Sequence, residues 1–339
     1  MRILLFFSIF FVYIYGEGDL LRCDVNADRS NIRVAIGFFG MSRCLSHTYP
    51  TIVRHVFDVL DRNNLAYDVF WSTVNQQYQR NHSYHVRTEL SDVELMRPCI
   101  FSQLEQSSIQ VEEFEEYYKS KGLKNFGTKY QPRLENSRFD FTKNQYESVK
   151  NVLSAYYSQS WLDKMITTHS GVNNIEYDAV LILRPDTAVI ADIDLPLHID
   201  AIRDEANKNA LWIPDFQSYE GYNDRLAFGP PGAVSIWLQR LEAWKTMNWT
   251  ARGAHNTEAF LRPYLQSHNI TVHPSATRVM RIRPGGIIEP IFDGRVKFLG
   301  NNERTPTLTR DVERCKGKRV RPPGGHPRLV YFLLDSENC

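Results

Sequence analysis

The sequence predicts an α/β fold in which helices flank a mostly parallel central sheet. Three observations carry this. Residues 32–73 read as strand, helix, strand, the spacing of a crossover unit whose two strands run parallel. A second helical stretch, Lys143 to Thr168, leads into Tyr177–Leu183, whose last four residues form an aliphatic run suited to a strand covered on both faces. That strand stops at Arg184-Pro185-Asp186, because proline cannot extend a hydrogen-bonded ladder. Carboxyl ends of parallel strands are where open α/β sheets hold their ligands.

The chain opens with Arg2 and an apolar run, Ile3 to Tyr15, broken only by Ser8. It is short for a membrane span, which needs ~20 residues, and long enough for a signal-peptide core. Residues 1–18 are read as a signal peptide or a short signal anchor, and residues 19–31 as a polar stem. Either reading addresses the chain to the secretory-pathway lumen (Golgi or ER) or to secretion, the anchor adding a membrane attachment at the amino terminus. Three acceptor sequons fit that compartment: Asn81-His82-Ser83, Asn248-Trp249-Thr250 and Asn269-Ile270-Thr271. The five cysteines show no C-x-x-C spacing, which argues against a zinc site. In an oxidising lumen, Cys315 with Cys339 and Cys44 with Cys99 are the pairings considered, with one cysteine left over.

Along the chain, Ile32 to Phe39 is the first strand, Gly40-Met41-Ser42-Arg43 a turn, and Thr48 to Leu60 a helix with apolar Ile52, Val53, Val56, Phe57 and Leu60. Tyr67 to Thr73 is the second strand. No G-x-G-x-x-G follows the first strand, so the dinucleotide fingerprint is absent. Residues 75–142 are polar and uneven, with Glu112, Glu113, Glu115 and Glu116 together, and read as a solvated helix and loops. Beyond Asp186 come an extended Ala188-Val189-Ile190, a helix near Ile199 to Asn209, and a buried strand Ala210 to Pro214. Leu226 to Phe228 is a short apolar strand. Pro231 to Met247 and His255 to Gln266 are helical, the first with proline in its opening turn. Ile270 to His273 and Val279 to Arg283 are strands, and residues 301–339 are a basic Pro/Gly-rich tail. Lys+Arg number 40 and Asp+Glu 39, a balance that gives no footing for nucleic acid.

Four stretches together carry a resemblance: Val34 to Arg43, Tyr67-Asp68-Val69-Phe70, Tyr177 to Asp186, and Asn223 to Gly229. In order and spacing they resemble GT-A-like glycosyltransferases, of the lipopolysaccharide- and capsular-polysaccharide-synthesis type with an Arg-x-Asp element. The resemblance implies a Rossmann-like GT-A domain over residues 32–300, a nucleotide-sugar donor, and a glycan or glycoprotein acceptor. Many such enzymes carry Asp-x-Asp; here Arg184 stands at the first position. One carboxylate holds a cation less firmly than two.

Glycosyl transfer needs a neutralised diphosphate, a base for the acceptor hydroxyl where the reaction inverts, and a fixed alignment of both partners. Asp186 with Mn²⁺ or Mg²⁺ is assigned to the first task, and Arg184 can face phosphate directly. Arg281 and Arg283, before Gly285-Gly286, can add positive charge, or simply form a solvated strand face. His273 can complete the metal shell, though a lone strand histidine is more often a satisfied polar residue. Asp224 is the leading base and Glu258 the second; their plain alternatives are an Asx turn and a solvated helical glutamate. Gly40 and Arg43 would lie against the nucleotide, and Tyr219, Tyr222 and Trp212 could stack on sugar, Trp212 looking more like core. A non-catalytic glycan-binding protein on the same scaffold is the competing reading. A hydrolase lacks support from G-x-S-x-G or H-E-x-x-H, neither of which occurs.

Overall fold

The computed structural model describes residues 30–41, 44–75, 78–80, 87–89, 100–105, 141–218, 221–246, 257–283, 285–288, 314–320 and 331–339. Residues 1–18, read above as a signal peptide or anchor, most of the stretch read as a stem, the acidic run at 112–116 and Arg43 lie outside them.

β1 (Arg33–Gly40) alternates between two cores. Val34, Ile36 and Phe38 join one buried cluster, Ala35 and Phe39 the other, as the two-residue period of a strand requires. The helix Leu45–Ile52 continues through a π-helical turn (Val53–Phe57) into Asp58–Arg62, and covers the first face. β2 (Ala66–Asn75) then pairs parallel to β1. β3 (Tyr78–Arg80) and β4 (Arg87–Glu89) form a hairpin-like pair, and β5 (Ile100–Glu105) adds to β2 in parallel. Strands thus occur where the sequence suggested a solvated helix and loops; their polar composition hides any two-residue apolar period.

The long helix Phe141–Asn173 covers the second face, and it approaches closely. A Cβ placed on Gly37 would stand 2.7 Å from a Leu162 methyl, so glycine there sets the helix–sheet distance. β6 (Ala179–Leu183) pairs parallel to β1 on the side away from β2. After it come β7 (Thr187–Val189), the helix Leu195–Arg203, a 3₁₀ turn (Glu205–Asn207) and β8 (Ala210–Pro214). β9 (Leu226–Gly229) inserts antiparallel between β6 and β8. The helices Pro231–Leu238 and Arg240–Thr246, then Thr257–Ser267, lead to β10 (Thr271–Ser275), parallel to β8. The expected single helix from Pro231 is broken at Gln239, whose backbone leaves the helical region at φ −85° and ψ 19°.

The central sheet among the described residues has seven strands in the order β10-β8-β9-β6-β1-β2-β5, with β9 alone running against the rest. A second, five-stranded sheet combines β7 with β11 (Val279–Arg283), β12 (Ile287–Ile288), β13 (Lys316–Val320) and β14 (Tyr331–Leu334). The stretch read as a basic tail therefore supplies two strands to the domain. A Cys315–Cys339 disulfide closes it, as one of the two pairings anticipated. The other does not form: Cys44 is a buried thiol, in a left-handed conformation at the head of its helix (φ 63°). Cys99 lies outside the described residues.

Candidate functional site

The strand order reverses between β6 and β2 around β1, which makes the carboxyl rim beside β1 and β6 the switch point of the sheet. Gly40 ends β1 with φ 92°, a conformation glycine adopts without strain, and its N–H donates to Ser158 Oγ at 2.8 Å. A Cβ there would meet nothing within 4 Å, so Gly40 serves the turn rather than a close approach. Across the rim, Thr48 donates through its hydroxyl to the Pro185 carbonyl at 2.7 Å, locking the helix after β1 to the Arg-Pro-Asp turn.

Asp186 is buried at 1% exposure, and Arg184 grips it with both ends of its fork. Nε donates to Oδ1 at 2.9 Å and Nη2 to Oδ2 at 2.8 Å. Burial works against the charge on Arg184, but the adjacent Asp186 and its hydrogen bonds outweigh burial and raise the guanidinium's proton affinity. Ile282 N–H donates to the Asp186 carbonyl at 2.9 Å, so Arg281 and Arg283 flank the strand position that holds Asp186 in place. Both arginines are half-buried.

β9 brings the second group of residues to the same rim. Leu183 pairs with Leu226, and Arg184 N–H donates to the Arg225 carbonyl at 3.0 Å. Because β9 runs antiparallel, residues that precede it lie beside residues that follow β6. Asn223 makes the Asx turn: its Oδ1 accepts from Arg225 N–H at 2.9 Å and its Nδ2 donates to the Phe216 carbonyl at 3.0 Å. That leaves the Asp224 carboxylate for other use. Thr257 donates to Asp224 Oδ2 at 2.6 Å, and the same hydroxyl lies 3.1 Å from Glu258 Oε2.

The approach of these segments depends on Gly221. A Cβ on it would fall 1.5 Å from the Glu258 carbonyl oxygen, a position no side chain can occupy. Tyr222 N–H then donates to that carbonyl at 3.1 Å, and Arg262 Nη2 donates to the Gly221 carbonyl at 2.8 Å. Burial, and then the neighbouring Asp224, push the Glu258 carboxyl up to about 7, although Arg225 and the Thr257 hydroxyl pull the other way. Arg240 lies wholly buried in the same region. Its guanidinium sits 3.8 Å from the Trp237 ring centroid and 4.8 Å from that of Tyr156, and Nη2 donates to Gln159 Oε1 at 2.9 Å. Burial lowers its proton affinity, while Tyr156, Asp224, Tyr264 and Glu258 act in the opposite sense.

Of the residues singled out in the sequence, Gly40, Arg184, Asp186, Asp224, Glu258, Arg281 and Arg283 thus gather on one rim. His273 does not join them. From β10 it pairs with Trp212 of β8, level with Leu181 and three strand spacings from β6, about 14 Å. Its ring packs on Trp212 at 5.0 Å, and Trp212 is core, stacked on Phe228. Among the described residues no group of three His, Cys, Asp or Glu side chains could hold a metal ion. With both Asp186 oxygens on Arg184 and His273 remote, the residues named for Mn²⁺ or Mg²⁺ do not form a shell. Arg43 and Tyr219 lie outside the described residues, while Tyr222 packs beneath the Arg262 guanidinium at 5.2 Å. Thr257 went unnoticed in the sequence, where nothing distinguishes a helix-opening threonine that caps from one that bridges two carboxylates.

No protein-family model matches the chain, and no curated protein does. Among solved structures it is similar to the WbbM bifunctional glycosyltransferase in its apo form, at TM-score 0.33 and 12% identity, over 73% of this chain. The match spans 39% of WbbM. It is similar to apo mouse xyloside xylosyltransferase 1, at TM-score 0.30 and 8% identity, over 72% of this chain and 84% of that one. It is similar as well to galactosyltransferase LgtC in complex with donor and acceptor sugar analogs, at 0.30 and 9%, over 83% and 95%. These likenesses are remote, and no residue role is carried over from them.

Proposed function

We propose that the chain is a glycosyltransferase that moves a sugar from a nucleotide-sugar donor to a glycan or glycoprotein acceptor in the secretory pathway. The observation that carries this reading is the Asp224–Thr257–Glu258 bridge beside the Arg184–Asp186 pair, on the carboxyl rim at the sheet's switch point. The donor's nucleotide lies over the turn after β1, and Arg184, Arg281 and Arg283 supply the positive charge that its diphosphate meets. Asp224 takes the proton of the acceptor hydroxyl. Glu258, raised to about 7 by burial and by Asp224, holds its own proton and leaves Asp224 free to act as the base; the proton Asp224 takes up passes to solvent after the products leave.

The test is a screen of nucleotide-sugar donors with the full chain, following release of free nucleotide with and without Mn²⁺. Release that depends on acceptor and falls in Asp224→Asn supports transfer. Saturable binding of a glycan with no nucleotide release from any donor would replace this reading by the glycan-binding one.

A further inference from the structure

We infer that Asn269 is a site of N-linked glycosylation, with its glycan standing beside β10 of the central sheet on the rim opposite the acidic pair. Of the three sequons, Asn269-Ile270-Thr271 is the one among the described residues. It occupies the turn between the helix Thr257–Ser267 and β10. Ile270 N–H donates to the Leu265 carbonyl and Asn269 N–H to that of Gln266, each at 3.0 Å, closing the helix in a Schellman-type turn. Asn269 sits at its left-handed position with φ 55° and is exposed. Its side-chain amide is engaged by no other group among the described residues.

The residues around it divide the work. Ile270 is buried at 6% and anchors the turn in the second core, so the sequon is held at the surface without slack. Thr271, exposed, begins β10 and pairs with Ala210, the first residue of β8. Asn269 therefore lies at the amino end of the parallel strands, whereas Asp186 and Asp224 follow or face their carboxyl ends. A bulky group on Asn269 leaves that rim open. Among the described residues β10 is also the outermost strand, with Pro274 in its ladder. Exposed strand edges invite pairing with other chains, and proline or bulk at the edge suppresses it.

A left-handed helix stop explains an asparagine at 269 by itself. It does not call for a hydroxyl two residues later, exposed at the strand's start. In the modification, Nδ2 of Asn269 displaces the diphosphate of a polyprenyl-diphosphate oligosaccharide. The sugar C1–O bond to phosphate breaks, a C1–N bond forms, the amide gives up one proton, and the polyprenyl diphosphate leaves.

The experiment expresses the full chain in a eukaryotic secretory host and digests it with peptide N-glycosidase in ¹⁸O-water before peptide mass spectrometry. Asn269 is expected to be recovered in most molecules as ¹⁸O-labelled aspartate. The label is expected to persist in Thr271→Ser and to vanish in Thr271→Ala. Asn269→Gly, which keeps the left-handed turn, is expected to lose the glycan while melting like the wild type. Unlabelled Asn269 in the wild-type chain, or label retained in Thr271→Ala, overturns the assignment.

Discussion

Arg184 holds both carboxylate oxygens of Asp186, at 2.8 and 2.9 Å, from two residues upstream on the same turn. An Asp186→Ala substitution therefore strands a half-buried guanidinium as well as removing a carboxylate. Breaking a buried pair costs roughly 3–5 kcal/mol, and the 24% exposure of the Arg184 side chain places this case at the low end. Urea unfolding should show a loss of about 2–3 kcal/mol. Arg184→Met with Asp186→Leu should recover most of that loss while leaving transfer abolished. Equal stability of Asp186→Ala and wild type would mean that the pair is not closed in solution.

The same pairing bears on metal dependence. With Asp186 occupied and His273 three strands away, guanidinium groups are expected to meet the diphosphate. Chelation should then change nucleotide release less than twofold. Loss of release in the presence of EDTA, restored by Mn²⁺, would show that the donor complex draws Asp186 off Arg184.

Glu258 should make the protein less stable as pH rises. Its carboxyl goes from an ordinary value of 4.5 to about 7 in the fold, so between those limits the native state holds a proton that the unfolded chain has released. The contribution is fully present below about 4.5 and is lost as pH climbs to about 7, up to about 3 kcal/mol in all. In Glu258→Gln that slope disappears. Melting temperatures measured from pH 4 to 9 should show the variant overtaking wild type above about pH 7.

Asp224→Asn is expected to lower kcat by roughly 10²–10⁴-fold with little change in donor KM, since a base acts in the transition state. The Asn223 turn that positions the segment remains intact in this variant. A change confined to acceptor KM would make Asp224 a recognition residue.

Gly221→Ala places a methyl inside the Glu258 carbonyl and must push the two segments apart. Displacing reacting groups by about 1 Å can cost roughly 100-fold in rate. The variant should lose about that much transfer, and the high carboxyl titration should fall toward the ordinary glutamate range. Retention of both in Gly221→Ala would show that the segments need not touch.

Much of the scaffold was legible because its strands are short aliphatic blocks and its helices carry a 3.6-residue apolar period. Val180–Leu183 and the stripe through Tyr156 and Leu162 both pack as their patterns suggest. The direction of β9 was not legible, since Leu226–Gly229 reads the same parallel or antiparallel. That direction is what delivers Asp224 to Asp186's rim. Of the strands after residue 300, β13 is masked by lysine, arginine and glycine, whereas β14 is a plain apolar run, Tyr331-Phe332-Leu333-Leu334, passed over amid its basic surroundings. His273 was misjudged because residue type alone says nothing of distance across a sheet.

The close contact at Gly221 has one further consequence. Two acids that arrive from separate parts of the chain are fused into a single body before any ligand enters, with main-chain bonds as the weld. The raised carboxyl of Glu258 therefore belongs to the resting molecule, and carboxyl NMR can follow it with no substrate present.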